Sequence, residues 1–152
     1  MSKEVEKTET RIALARLLPV VVLESADDAV PLARALVAGG LPVAEVTFRT
    51  AAAAESIRRI AAEVPEMFLG AGTVLTEKQL EAASEAGARF IVTPGFNPAV
   101  VAAAKAASLP IVPGINNPTG VEQAMSHGLS VVKFFPAEAT GGVAFLKALT
   151  GP

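Results

Sequence analysis

Lys133 interrupts an apolar run, Val131-Val132-Lys133-Phe134-Phe135, just ahead of Pro136. An amine drawn away from water gives up its proton more readily, because burial penalises the charged form. The neutral amine is the nucleophile that adds to a ketone and forms a Schiff base. The same lysine can equally be a structural one, snorkelling to the surface or paired with a carboxylate. The residues around it decide between these.

The run Val43–Phe48 places polar residues at alternate positions. In a strand, Glu45, Thr47 and Arg49 would share one face while Val46 and Phe48 take the other. The apolar pair should meet outer helices, which turns the polar trio inward. Glu45 and Arg49 would then lie roughly 13 Å apart along the strand, too far for a direct ion pair. The next run ends Leu69-Gly70-Ala71-Gly72-Thr73-Val74, where two glycines admit a ligand or a neighbouring strand and Thr73 reaches the C-terminal rim. No third glycine or following lysine completes a nucleotide fingerprint there. An amine, a carboxylate, a guanidinium and threonine hydroxyls suit a small keto acid. Arg49 would grip its carboxylate through a two-pronged contact, assisted by Thr73. Lys133 would add to the ketone, and Glu45 would move protons during dehydration and at the carbon next to the imine.

Other residues carry weaker signals. Thr93-Pro94-Gly95 and Val112-Pro113-Gly114 repeat a strand ended by proline and glycine, which ordinary turns also explain. His127, in Ser126-His127-Gly128, suits a helix C-cap. Met67 and Met125 read as packing residues.

Short β-branched runs recur every 20 to 25 residues or so: Pro19–Leu23, Val43–Phe48, Phe68–Val74, Phe90–Thr93, Ile111–Pro113 and Val131–Phe135. Alanine-rich stretches of helical periodicity lie between them, among them Ala29–Val37, Ala51–Val64 and Glu77–Ala86. Gly40, Gly87 and Gly128 sit at C-cap positions, and Asn97-Pro98 and Asn117-Pro118 each open a helix. This alternation predicts parallel strands joined by right-handed crossovers. Leu23-Glu24-Ser25-Ala26 lacks the glycines of a dinucleotide-binding open sheet. Polar residues at the C-terminal ends of several strands favour a (β/α)8 barrel instead. About six of the eight strand–helix units are present, so the chain is expected to be cut short or completed from elsewhere. Residues 1–9 read as a polar N-terminal segment and residues 10–152 as the barrel.

Half of the 152 residues are hydrophobic, enough for one domain with a real core. A net charge of −2 gives no reason to expect nucleic acid or an anionic membrane as partner. With no cysteine and a single histidine, disulfides, thiolate metal sites and multi-histidine metal sites are excluded. Neither a membrane-crossing stretch nor a signal-peptide pattern is visible, which leads to the expectation of a soluble, cytoplasmic protein.

Five ordered segments carry a resemblance: "VAEVTFRT" (Val43–Thr50), "GAGTVL" (Gly70–Leu75), "FIVTPGFNP" (Phe90–Pro98), "PIVPGINNPTG" (Pro110–Gly120) and "VVKFFPAEATGG" (Val131–Gly142). Together they resemble the 2-keto-3-deoxy-6-phosphogluconate aldolases, a family that includes 4-hydroxy-2-oxoglutarate aldolases. The resemblance implies a (β/α)8 barrel of class I aldolase type, a homotrimer, and chemistry with no metal or other cofactor. It implies Lys133 as the Schiff-base residue for pyruvate and Glu45 as general acid/base. Arg49 and Thr73 would bind the pyruvate carboxylate; Thr93, Pro94, Pro113 and Phe135 would line the pocket. The products would be pyruvate and glyceraldehyde 3-phosphate, or glyoxylate from the shorter substrate. The family's phosphate-binding turns have no counterpart in these residues. Competing expectations are a truncated or engineered barrel fragment serving only folding or assembly, and a different phosphate-binding barrel such as an isomerase.

Overall fold

A computed structural model describes residues 3–149. The chain runs α1 (Lys3–Ala15), β1 (Val20–Val21), α2 (Ala29–Ala38), β2 (Val43–Thr47), α3 (Ala53–Glu63), β3 (Phe68–Gly72), α4 (Glu77–Glu85), β4 (Ile91–Val92), α5 (Pro98–Ala106), β5 (Ile111–Val112), β6 (Gly114–Ile115), α6 (Pro118–Ser126), β7 (Lys133–Phe134) and α7 (Gly142–Leu149). Every strand pairing is parallel, and the main sheet follows chain order from β1 to β5. A doubly wound sheet reverses direction about its first strand. This order never reverses, so the strands form an arc of a (β/α)8 barrel wall.

Pro113 ends the fifth strand, as its sequence suggests, and a further short strand unexpectedly follows it. Lacking an N–H, the proline cannot extend the ladder as a donor, yet its carbonyl accepts from the Lys133 N–H at 2.9 Å. The pairing resumes as β6 beside β7, with Gly114 opposite Lys133 and Ile115 opposite Phe134. Only Lys133–Phe134 of the expected Val131–Phe135 run is strand.

Helix boundaries follow local chemistry. Asn97 caps α5 by accepting from the Ala99 N–H at 3.0 Å, and Asn117 caps α6 by accepting from the Gly120 N–H at 2.8 Å; a proline follows each cap. Gly40, Gly87 and Gly128 take the positive φ that ends α2, α4 and α6. His127 is the C-cap of α6, as its position suggested.

Two apolar layers hold the strands. Ala44, Val46, Leu69, Ala71 and Ile91 pack outward against Ala33, Ile57, Ile60, Leu80, Ala83 and Val101 of the helices. Inside the arc, Val43, Phe68, Phe90 and Val92 form a second cluster, covered by Ile12, Ala15 and Leu18. Helix α1 therefore closes the inner layer and crosses the boundary drawn at residue 9. Its Thr8 is buried, where a solvated start was expected. Met67 is buried as expected, but Met125 is 68% exposed on α6 and is not a packing residue.

Candidate active site

Strand alternation directs Glu45 and Thr47 inward, and both are buried, at 1% and 0% exposure. Lys133 arrives from β7, 88 residues later, and its Nζ donates to Glu45 Oε1 at 3.1 Å. Its side chain keeps 25% of its exposure, so desolvation is only partial. The reactive and structural expectations for this lysine therefore coincide: it pairs with a carboxylate, and that carboxylate faces inward. Glu45 Oε2 is buried without a hydrogen-bond partner among the described residues. An unpaired buried carboxylate oxygen is costly, and it is an open acceptor for a proton or a polar ligand.

Gly72 makes room for that carboxylate. A Cβ there would stand 2.9 Å from Glu45 Oε1 and 3.1 Å from Thr47 Cγ2. Gly70 plays the same part for Phe90, whose ring a Cβ would meet at 2.3 Å. The two glycines anticipated for close approach thus serve a catalytic candidate and the inner core. Thr73, next in the chain, has φ of 55°. A β-branched residue in the left-handed region is strained, and such strain concentrates at functional positions.

The rim side of the lysine is aromatic and proline-rich. Lys133 Nζ lies 5.2 Å from the Phe135 ring centroid. Phe135 and Pro94 line a rim cavity of about 450 Å³ together with Gly95, Gly114 and Asn116. Thr93 is buried and donates to the Gly95 carbonyl at 2.7 Å, which fixes the turn. Pro113 is buried behind the lysine backbone. A second cavity, about 250 Å³, touches Glu45 and Lys133 from within, walled by Val92, Val112 and Leu18.

Arg49 departs from expectation. Regular strand ends at Thr47, so alternation no longer governs residues 48–50; Arg49 is exposed in the turn, with no ion pair among the described residues. The structure thus brings Lys133, Glu45 and Phe135 together and leaves Arg49 and Thr73 on neighbouring rim turns. Thr50 went unremarked in the sequence except as the end of a motif; its Oγ1 donates to the Leu23 carbonyl at 2.5 Å. Its signal was the Thr-x-x-Thr spacing that brackets Arg49. Among the described residues, no three acidic or histidine side chains converge as a metal site, and no helix is long and apolar enough to cross a membrane.

Fold and site define a class: a parallel β/α barrel wall with a lysine amine paired to an inward carboxylate. The chain belongs to the family of KDPG and KHG aldolases, whose profile matches residues 8–152. It is 56% identical over 137 residues to the 2-dehydro-3-deoxy-phosphogluconate aldolase of Treponema pallidum, covering 90% of this chain and 65% of that protein. The 2-keto-3-deoxy-6-phosphogluconate aldolase of Zymomonas mobilis, solved with 3-phosphoglycerate, superposes with a TM-score of 0.90 at 44% identity, covering 95% of this chain and 69% of that one. The KDPG aldolase of Legionella pneumophila, solved with pyruvate as a covalent carbinolamine intermediate, gives 0.85 at 39% identity, covering 88% and 65%. The chain thus spans about two thirds of the length of the proteins it matches.

Proposed function

We propose that this protein is a class I aldolase that cleaves 2-keto-3-deoxy-6-phosphogluconate to pyruvate and glyceraldehyde 3-phosphate, and 4-hydroxy-2-oxoglutarate to pyruvate and glyoxylate. The observation that carries the reading is the Lys133–Glu45 pair at 3.1 Å, with the second carboxylate oxygen buried and open. The covalent carbinolamine in the Legionella relative supports it, since a carbinolamine is the adduct of an amine and a carbonyl. The relatives' names favour catalysis over a folding or assembly fragment.

In this mechanism Lys133 Nζ attacks the C2 carbonyl and a proton passes to its oxygen. Loss of water from the carbinolamine then gives the iminium, with Glu45 relaying the protons. Glu45 next removes the C4 hydroxyl proton. The C3–C4 bond breaks, its electrons reach the iminium nitrogen, and the aldehyde departs. Protonation of the enamine at C3 and addition of water release pyruvate and free amine. Arg49 and Thr73 hold the carboxylate; Thr93, Pro94, Pro113 and Phe135 shape the wall around the ketone. The protein acts in the cytoplasm as a homotrimer, without a metal or other cofactor, in sugar-acid breakdown of the Entner–Doudoroff type.

Borohydride reduction in the presence of pyruvate tests the reading. Peptide mass analysis should find a reduced pyruvyl adduct on Lys133, absent from Lys133→Ala. An adduct-free Lys133 would overturn it.

A further inference from the structure

The turn that carries Arg49 is held on both sides, by the last rung of the β2–β3 ladder and by side-chain hydroxyls toward β1. Toward β3, the Phe48 N–H donates to the Gly72 carbonyl at 2.8 Å. Toward β1, Thr47 Oγ1 donates to the Val21 carbonyl at 3.0 Å and Thr50 Oγ1 to the Leu23 carbonyl at 2.5 Å. The two threonines bracket Arg49 in sequence, and the two acceptors are alternate residues of one extended segment. Beyond Val21, β1 has no regular strand, so the Thr47 hydroxyl reinforces the last paired residue and the Thr50 hydroxyl continues the cross-link where backbone pairing stops. Thr47 is fully buried. Arg49 itself makes no ion pair among the described residues, which leaves its backbone as the means of aiming it.

We propose that Thr47 and Thr50 are positioning residues: a two-hydroxyl latch onto β1 that holds the Arg49 turn in register to receive a substrate carboxylate. The inference rests on the reading of Arg49 as the carboxylate ligand. A long, flexible arginine binds a small anion tightly only when little freedom remains to be lost. The latch removes the backbone share of that freedom, and a small displacement of a positioning group is enough to weaken capture. Valine in place of threonine keeps the branched shape and deletes the donor.

The test is the pyruvate dependence of adduct formation on Lys133 under borohydride. Thr50→Val should raise the half-saturating pyruvate concentration about tenfold while the plateau stays unchanged, and Thr50→Ser should restore it. Acetone, which has a ketone but no carboxylate, should be trapped equally by the parent and by Thr50→Val. Should the valine variant not fold, Thr50→Ala serves, since the half-buried rim position admits water to the Leu23 carbonyl. An unchanged half-saturation in Thr50→Val beside a raised one in Arg49→Ala overturns the latch alone. An unchanged value in Arg49→Ala removes the carboxylate reading and the latch with it. Equal loss of acetone and pyruvate trapping would mark general damage to the site and overturn the positioning role.

Discussion

The carboxylate of Glu45 is where the chemistry of this chain is most exposed to test. One oxygen receives the Lys133 amine and the other lies buried with no partner among the described residues. A carboxamide at this position keeps the volume and can still accept from the lysine, but it cannot take up a proton. Glu45→Gln should therefore lower turnover of the keto acid by about 10²–10⁴-fold, the usual span of a general base. Slow accumulation of the pyruvate adduct on Lys133 should persist. Stopped-flow turnover compared with overnight trapping separates the two effects, and equal loss in both would contradict the division of labour. The pair was legible in the sequence because each residue breaks an apolar strand pattern, and period-two alternation fixes which way Glu45 points. Arg49 was not legible by that rule, because its strand ends two residues earlier at Thr47. Gly72 could be read as a point of close approach, but the Glu45 carboxylate as its neighbour emerges only from the register of β2 against β3, where Thr47 lies opposite Gly72.

At the scale of elements, the sequence announced its helices by caps and its strands by β-branched runs. Helix α1 escaped notice because its alternating charges at Lys3–Glu9 masked the spacing of Ile12 and Ala15, which pack on the inner cluster. Exposed ion pairs on α3 add a pH-sensitive tie that periodicity does not reveal. Arg59 joins Glu55 on its own helix at 2.9 Å and reaches Asp27, in the turn ahead of α2, at 2.6 Å, while Arg58 also bonds Glu55. These guanidiniums, Arg59 first, hold the Glu55 carboxyl below its ordinary value of 4.5. The folded state thus favours the ionised form. Its contribution to stability is present above that ordinary value and is lost as pH falls through the lower folded one. Thermal unfolding followed downward from pH 5 should show a decline that is shallower in Glu55→Gln and weakened by added salt, since the groups are solvent-screened. Superimposable pH profiles for the two proteins would rule the tie out.

Across the whole molecule, the Lys133–Glu45 pair joins β2 to β7, so the candidate site depends on the arc of intervening strands keeping its curvature. Sequence periodicity foretold the parallel strands of that arc, and polar residues at the strand ends favoured a barrel; the consecutive strand order comes from the structure. Periodicity did not foretell that pairing resumes just beyond Pro113, as β6 against β7, with the lysine backbone set against the proline carbonyl. In the proposed mechanism, a ligand captured by Lys133 and gripped at the rim binds only when β2, β3 and β7 stand in register. Such a ligand stabilises the folded state by mass action, about 2.7 kcal/mol at a hundredfold excess over its dissociation constant. For a domain of this size each kcal/mol moves the midpoint by about 2–4 °C. Saturating pyruvate should therefore raise the unfolding temperature by about 5–10 °C, read by calorimetry or intrinsic circular dichroism. Lys133→Ala should lose most of that increase, because the covalent step is gone while the rim contacts remain. Acetate, which offers the carboxylate without a ketone, should give only a small rise in either protein. A full pyruvate shift in Lys133→Ala would show that the fold senses the anion rather than the imine, and would separate carboxylate binding from the barrel-spanning pair.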